Sequence, residues 1–221
     1  MATDRITAKR AAQRDRIIGA ALQAFSARGF EATTTAQIAD ALQMTGPALY
    51  HYFATKDELL LACVTHLLDL LLAALAEAAA GAGSPAERMA QAVRAQIGLE
   101  LRHGAAAPLV NAHLYGPRHL TDLLSPAQRA LLRDKQRALV QVYRGLIDAG
   151  LACGQFTTPE PGIATFNVLA LVQYTSVWYR PRAGRQRQAL IAQQAAAVLQ
   201  LLGASASPLP AATPRQRKGT P

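Results

Sequence analysis

Residues 33–56 read TTTAQIADALQMTGPALYHYFATK, and this stretch decides the fold of the chain. Thr34 and Gln37 have the spacing of a capping box, in which each side chain accepts a hydrogen bond from the other residue's amide, so a helix is predicted to begin at Thr35. Thr45 is a second N-cap candidate, and Pro47 is tolerated in the first turn of the helix that follows. Two short helices joined by a tight turn predict a helix-turn-helix.

The side chains around the second of these helices are of types that can bind DNA. Leu49 and Phe53, four residues apart, are expected to face the core, and one of Tyr50 and Tyr52 is expected to pack beside them. The first turn of the helix is poor in side-chain donors, so the unit is expected to fix its position through phosphates and to read few bases. The predicted DNA contacts are Thr34, Thr35, Thr45, Gly46, Pro47, Ala48, Tyr50, His51 and Lys56.

The composition favours a helical protein that binds a polyanion. The chain has 221 residues, a formal net charge of +9 and only 5% aromatic residues. That length is enough to bury a full core, and the positive charge favours a nucleic acid as partner. Alanine and leucine dominate while β-branched runs are scarce, which predicts an all-α fold.

Three features bear on the compartment. Residues 1–16 contain no apolar run, which argues against a secretory signal. Residues 162–179 are uncharged, but Asn167 and Gln173 interrupt them, so a buried helix is favoured over a membrane span. Cys63 and Cys153 lie far apart and outside any CxxC pair, which is typical of reduced thiols in a cytoplasmic protein.

The first helix is predicted to begin near Lys9 and to end at Gly29. Its apolar side chains recur at three- and four-residue spacing: Ile17, Ile18, Ala21, Leu22 and Phe25. Its start carries the basic residues Lys9, Arg10, Arg14 and Arg16. These form either a solvated face or an edge that lies along phosphates, and the sequence favours neither.

Six further helices are predicted, which makes about nine in all. The signals are apolar patterns together with a capping box at residues 55–58 and helix-start motifs at 84–87 and 125–128. The helices are expected at residues 59–80, 84–103, 108–115, 125–149, 162–179 and 186–202. We therefore expect a flexible basic arm over 1–12, a helix-turn-helix domain over 13–58, an effector-binding and dimerisation domain over 59–203, and a disordered basic tail over 204–221.

No pattern in the chain predicts an enzyme. There is no serine elbow, phosphate-binding loop or suitably placed carboxylate pair. His103, His113 and His119 have a spacing, with a Gly-Pro break, that does not suit a metal site. We expect no catalytic residue, no metal and no cofactor.

Residues 14–61 resemble the DNA-binding domain of the TetR family of repressors. The resemblance rests on Gly29-Phe30, Thr33-Thr34, Ile38-Ala39, and above all LYHYF at residues 49–53 followed by Lys56 and ELL at 58–60. It implies phosphate contacts at Tyr50 and Lys56 and helix caps at Thr34 and Thr45. Two positions depart from the family pattern, because Gln43 and Pro47 stand where glycine is usual or frequent.

The resemblance also implies a homodimer formed by the last two helices, a small-molecule effector held among the middle helices, and a repressor that leaves a pseudo-palindromic operator. The expected pocket residues are Met89, Val93, Ile97, Leu114, Tyr143, Phe166, Leu169, Tyr174 and Trp178. The segment from 163 to 179 is apolar on every side, which does not suit a helix with a solvent-exposed face. This independently favours a partner subunit packed on one side of it.

The C-terminal half is more weakly similar to the family branch that responds to acyl-CoA thioesters. GLACGQF at 150–156 and VWYRP at 177–181 carry this similarity. It implies an acyl-CoA or fatty-acid-like effector whose phosphates meet Arg129, Arg133 and Arg137 or the arginines of 180–187. The alternative for each arginine is a solvated face.

Two other functions remain open from the sequence. One is a helical small-molecule-binding protein, and the other is a DNA-compacting architectural protein, which the charge and the basic tail favour.

Overall fold

A computed structural model describes residues 2–103, 124–179 and 184–204. This described part contains helices and no strand, which confirms the all-α class. The helices are α1 (Ala2–Arg28), α2 (Thr35–Ala41), α3 (Gly46–Tyr50), α4 (Lys56–Ala80), α5 (Pro85–Arg102), α6 (Pro126–Ala152), α7 (Pro161–Gln173), α8 (Thr175–Trp178) and α9 (Gly184–Leu201).

A first hydrophobic cluster joins α1, α2, α3 and the start of α4. Ile17 and Phe25 of α1 meet Ile38 of α2 and Leu49 of α3, and all are almost completely buried. Phe53 completes the cluster where the chain enters α4. The predicted inward face of α1 and the inward positions of α3 are thus confirmed.

A second cluster surrounds α5, which packs against α4, α6 and α9. An apolar stripe of α5 faces inward, since Met89, Val93 and Ile97 have no exposed surface. Tyr143 of α6 and Val168 of α7 close the cluster from the other side. α5 is therefore the central helix of the C-terminal part.

Helix α4 links the two clusters. It is long and apolar enough to cross a membrane by length and composition, but more than half of its most apolar window is buried inside the protein. Leu59 and Leu60 belong to the first cluster, and Leu75 belongs to the second. A helix that supplies side chains to both cores is expected to be apolar on most sides.

Several expectations differ from the structure or lie outside it. α1 begins at Ala2, so the helix continues through most of the segment expected to be a flexible arm. The segment expected as one helix over 162–179 divides at Tyr174 into α7 and α8. The hydroxyl of Thr175 donates to the carbonyl of Leu171 at 2.8 Å, and such bonds compete with the backbone ladder and bend helices. The helix expected at 108–115 lies outside the described residues, as does the tail expected over 204–221 except for Ala204.

Candidate DNA-binding unit and effector groove

The two helices of residues 33–56 are held by the predicted caps. The hydroxyl of Thr34 accepts from the amide of Gln37, and the Gln37 side chain accepts from the amide of Thr34, so the capping box is complete. The hydroxyl of Thr45 accepts from the amide of Ala48 at 3.4 Å, and Pro47 lies in the first turn of α3. These caps fix where both helices begin.

The turn between α2 and α3 is closed by backbone bonds. The amide of Met44 donates to the carbonyl of Ala39, and the amide of Gln43 donates to that of Asp40, which together form a Schellman motif. Gln43 has a φ of 55°, the left-handed conformation that this motif requires and that glycine adopts most easily. The departure at Gln43 thus leaves the turn intact and adds backbone strain.

Tyr50 is the most exposed aromatic side chain of the unit. Half of its surface is accessible, and its hydroxyl forms a 2.9 Å hydrogen bond with that of Thr35. This bond links the end of α3 to the start of α2. Tyr52 is half-buried against the first cluster, so the expectation that one of the two tyrosines packs the core is confirmed for Tyr52.

Lys56 is positioned by contacts at the start of α4. Its ammonium lies 4.2 Å from the centre of the Phe30 ring and donates to the carbonyl of Glu31 at 3.4 Å.

Thr55 caps α4 by accepting from the amide of Glu58, as predicted. The carboxylate of Glu58 accepts from the amide of Ala54, however, and not from the cap residue, so this capping box is shifted by one residue.

The structure brings most of the predicted DNA contacts to the outside of the unit. Side chains at the starts of α2, α3 and α4 join Tyr50 and His51 in supplying hydroxyls, an imidazole and an ammonium. The exposed positions are Thr34, Thr45, Pro47, Tyr50 and His51, while Thr35, Gly46, Ala48 and Lys56 are half-buried. Hydroxyls and a charged amine around a helix end are groups that bind phosphate.

A polar network that the sequence does not predict lies inside the second cluster. The hydroxyl of Tyr143 donates to Gln96 Oε1 at 2.8 Å, and Gln96 Nε2 donates to Glu100 Oε1 at 2.9 Å. Glu100 Oε2 is buried without a hydrogen-bond partner. Burial raises the pKa of Glu100 to about 7, while Gln96 and Ser176 act in the opposite direction. The only sign of this network in the sequence is a pair of polar residues, Gln96 and Glu100, four residues apart beside the apolar stripe of α5.

The expected pocket residues divide into two groups. Met89, Val93, Ile97, Tyr143 and Leu169 are buried in the second cluster. Three others are exposed on α7 and α8 or at the junction between them: Phe166, Tyr174 and Trp178. Leu114 lies outside the described residues, as do His113 and His119 of the disfavoured metal set.

An open groove of about 730 Å³ runs between α6 and α7. Val140, Leu169 and Ala170 are among its apolar lining residues, and Arg133 and Arg137 also line it. Two of the exposed aromatic residues, Phe166 and Tyr174, line it as well. An apolar surface beside guanidinium groups suits a ligand with a carbon chain and an anionic group.

Known protein families match most of the chain. The family described as bacterial regulatory proteins, tetR family, matches residues 17–63, and the tetracyclin repressor-like C-terminal domain matches residues 82–202. The HTH-type transcriptional repressor KstR2 of Mycobacterium tuberculosis is 24% identical over 197 residues, which are 89% of this chain and 96% of that protein.

Two solved structures show the shared fold. A tetR-family regulatory protein from Rhodococcus RHA1 has a TM-score of 0.74 and 26% identity, covering 87% of this chain and 98% of its own. AibR, solved with isovaleryl coenzyme A and operator DNA, has a TM-score of 0.69 and 22% identity, covering 86% and 97%. Because the helix-turn-helix and the helical part behind it both match in sequence, the chain belongs to the TetR family of bacterial regulatory proteins.

Proposed function

We propose that the protein is a homodimeric transcriptional repressor of the cytoplasm, which leaves a pseudo-palindromic operator when a small apolar effector binds. The observation that carries this proposal is the capped helix-turn-helix, which exposes Tyr50 and His51 at the end of α3 and has the half-buried Lys56 at the start of α4. The net charge of +9 adds a general attraction to DNA. In a two-fold dimer, two such units meet half-sites about one helical turn apart, or roughly 34 Å.

The dimer surface would be formed by α7, α8 and α9. Ile163, Phe166, Tyr174 and Trp178 have 62%, 65%, 59% and 60% of their surface exposed, although all are large and apolar. Such a patch on one side of a molecule marks an interaction site, and a two-fold axis lets the same patch serve both subunits. Leu201, near the end of α9, is a further exposed apolar residue.

The effector site would be the groove between α6 and α7. An acyl chain would lie on Val140, Leu169 and Ala170, and phosphate or carboxylate groups would meet Arg133 and Arg137. Arg137 also contacts Asp134 at 3.2 Å, but an exposed pair of this kind is weak enough to exchange for a phosphate. The complex of AibR with isovaleryl coenzyme A supports a coenzyme A thioester as the ligand class.

Effector and dimer would be coupled through α7. This helix lines the groove through Phe166 and Leu169, and its exposed residues belong to the proposed dimer surface. A ligand between α6 and α7 would therefore move one side of the interface and change the separation of the two DNA-binding units. Loss of the half-site spacing would release the operator without any contact between effector and DNA.

Footprinting on the DNA that flanks the protein's own gene tests this function. The expected result is protection of two half-sites, lost when an acyl-CoA is added on the order of 10 µM. The free acid of the same chain should act more weakly, and a variant with Arg133→Ala and Arg137→Ala should lose this preference for the thioester while still protecting the operator. The effector proposal is wrong if neither thioesters nor free acids of any chain length release the DNA.

A further inference from the structure

The first turns of α1 project from the rest of the protein. Every described side chain from Arg5 to Ala12 is exposed, and Ile6 has 70% of its surface accessible. Ile17 is the first residue of α1 that belongs to the first cluster. The projecting turns therefore add no buried side chain to the core, although such burial is what usually stabilises a short helix in water.

Two contacts place these projecting turns beside α3. Gln13 Nε2 lies 3.0 Å from the sulfur of Met44, in the turn that precedes α3. The guanidinium of Arg14 lies 4.6 Å from the centre of the Phe53 ring, just after α3. The projecting turns thus start at the helix-turn-helix itself, next to the surface that holds the predicted DNA contacts.

The charges of the segment are arranged along the helix. Residues 5–16 contain five basic side chains and one acidic side chain, Asp15. At 3.6 residues per turn, Arg5, Lys9 and Arg16 fall on the same face as Gln13, whose side chain points to the α2–α3 turn. Arg16 also donates to Gln13 Oε1 at 3.0 Å, which holds both side chains on that face. Arg10 lies one turn before Arg14.

We propose that the projecting part of α1 is a second DNA-binding element, which lies along the phosphate backbone beyond the bases that α3 faces. The occupant that fits is duplex DNA, because the segment offers a row of cations and only one large apolar side chain, that of Ile6. Arg5 precedes Gln13 by eight residues, or about 12 Å of helix, which corresponds to three or four base-pair steps along the DNA axis. This inference rests on the proposed function, since it requires the helix-turn-helix to bind DNA.

The test compares the full-length protein with an Arg5→Ala, Lys9→Ala, Arg10→Ala variant. Alanine keeps the helical propensity, and none of the three side chains is buried, so the fold should be retained. The probe is a mixed-sequence duplex at low salt, because phosphate contacts do not depend on sequence. We expect the variant to bind at least 10-fold more weakly, with a salt slope about two to three units smaller.

A matched control removes the same charge elsewhere. Arg94→Ala, Arg102→Ala and Arg144→Ala change three basic residues of α5 and α6. This control should keep the salt slope of the wild type. Equal slopes for wild type and the α1 variant, or an equal loss in the control, would overturn the assignment to α1. Absence of wild-type binding to any duplex would instead overturn the proposed function together with the inference that rests on it.

Discussion

Gln43 is held in a conformation that costs free energy. A non-glycine residue in the left-handed region costs roughly 1–2 kcal/mol, and Gln43 is exposed, so no side-chain packing offsets this cost. We expect Gln43→Gly to stabilise the protein by about 0.5–1 kcal/mol, seen as a higher midpoint in thermal or urea denaturation. Gln23→Gly in the exposed face of α1 should lose about 1 kcal/mol. A loss at both positions would contradict the strain at Gln43.

Glu100 should make stability depend on pH. Its pKa is raised from an ordinary value of 4.5 to about 7 by burial, so between these values the unfolded chain loses a proton that the native protein retains. Stability should therefore fall as pH rises through this window, by up to roughly 3 kcal/mol. Glu100→Gln should remove the fall and make the variant more stable than wild type at pH 8.

Denaturation at several pH values between 4 and 8 measures the effect of Glu100. Glu77→Gln, at an exposed position of α4, is the control and should leave the wild-type pH dependence in place. A Glu100→Gln protein with the same pH dependence as the wild type would show that the buried carboxyl does not titrate in this range.

The turn after α6 depends on close packing at a glycine. A Cβ atom built at Gly150 would lie 2.1 Å from the buried ring of Phe156, whereas one at Gly145 on the same helix would meet nothing within 4 Å. We expect Gly150→Ala to destabilise by about 2 kcal/mol or more, and Gly145→Ala to stabilise by up to about 1 kcal/mol. Chemical denaturation compares the two, and a neutral Gly150→Ala would contradict this packing. The glycine pattern of residues 150–156 thus has a structural role of its own.

Local signals in the sequence predicted local structure well. The caps at Thr34, Ser84 and Ser125 each depend on residues three apart, and all three capping boxes are present. The network of Gln96, Glu100 and Tyr143 was not predictable, because Tyr143 lies 47 residues from its partner Gln96 and nothing in the periodicity joins them. The division at Tyr174 was missed for a related reason, since it depends on which carbonyl the Thr175 hydroxyl meets, and apolar spacing does not show this.

The proposed dimer predicts a simple result for the whole molecule. Wild type should sediment with twice the chain mass of 23.5 kDa, and Ile163→Arg with Trp178→Arg should give a folded monomer. Both residues are largely exposed, so their replacement should cost little within one subunit. Leu131→Arg, on an exposed position of α6, should remain dimeric. A wild-type monomer at micromolar concentration, or a double variant that stays dimeric, would contradict this interface.

Binding of the DNA upstream of the protein's own gene tests the central claim most directly. Fluorescence anisotropy with excess mixed-sequence competitor should show saturable binding by wild type with a Kd on the order of 10 nM. Lys56→Ala should bind all sequences more weakly, with a salt slope about one unit smaller, because Lys56 would contact phosphate. Binding that the competitor removes completely would contradict a sequence-specific regulator and would favour a DNA-compacting protein instead.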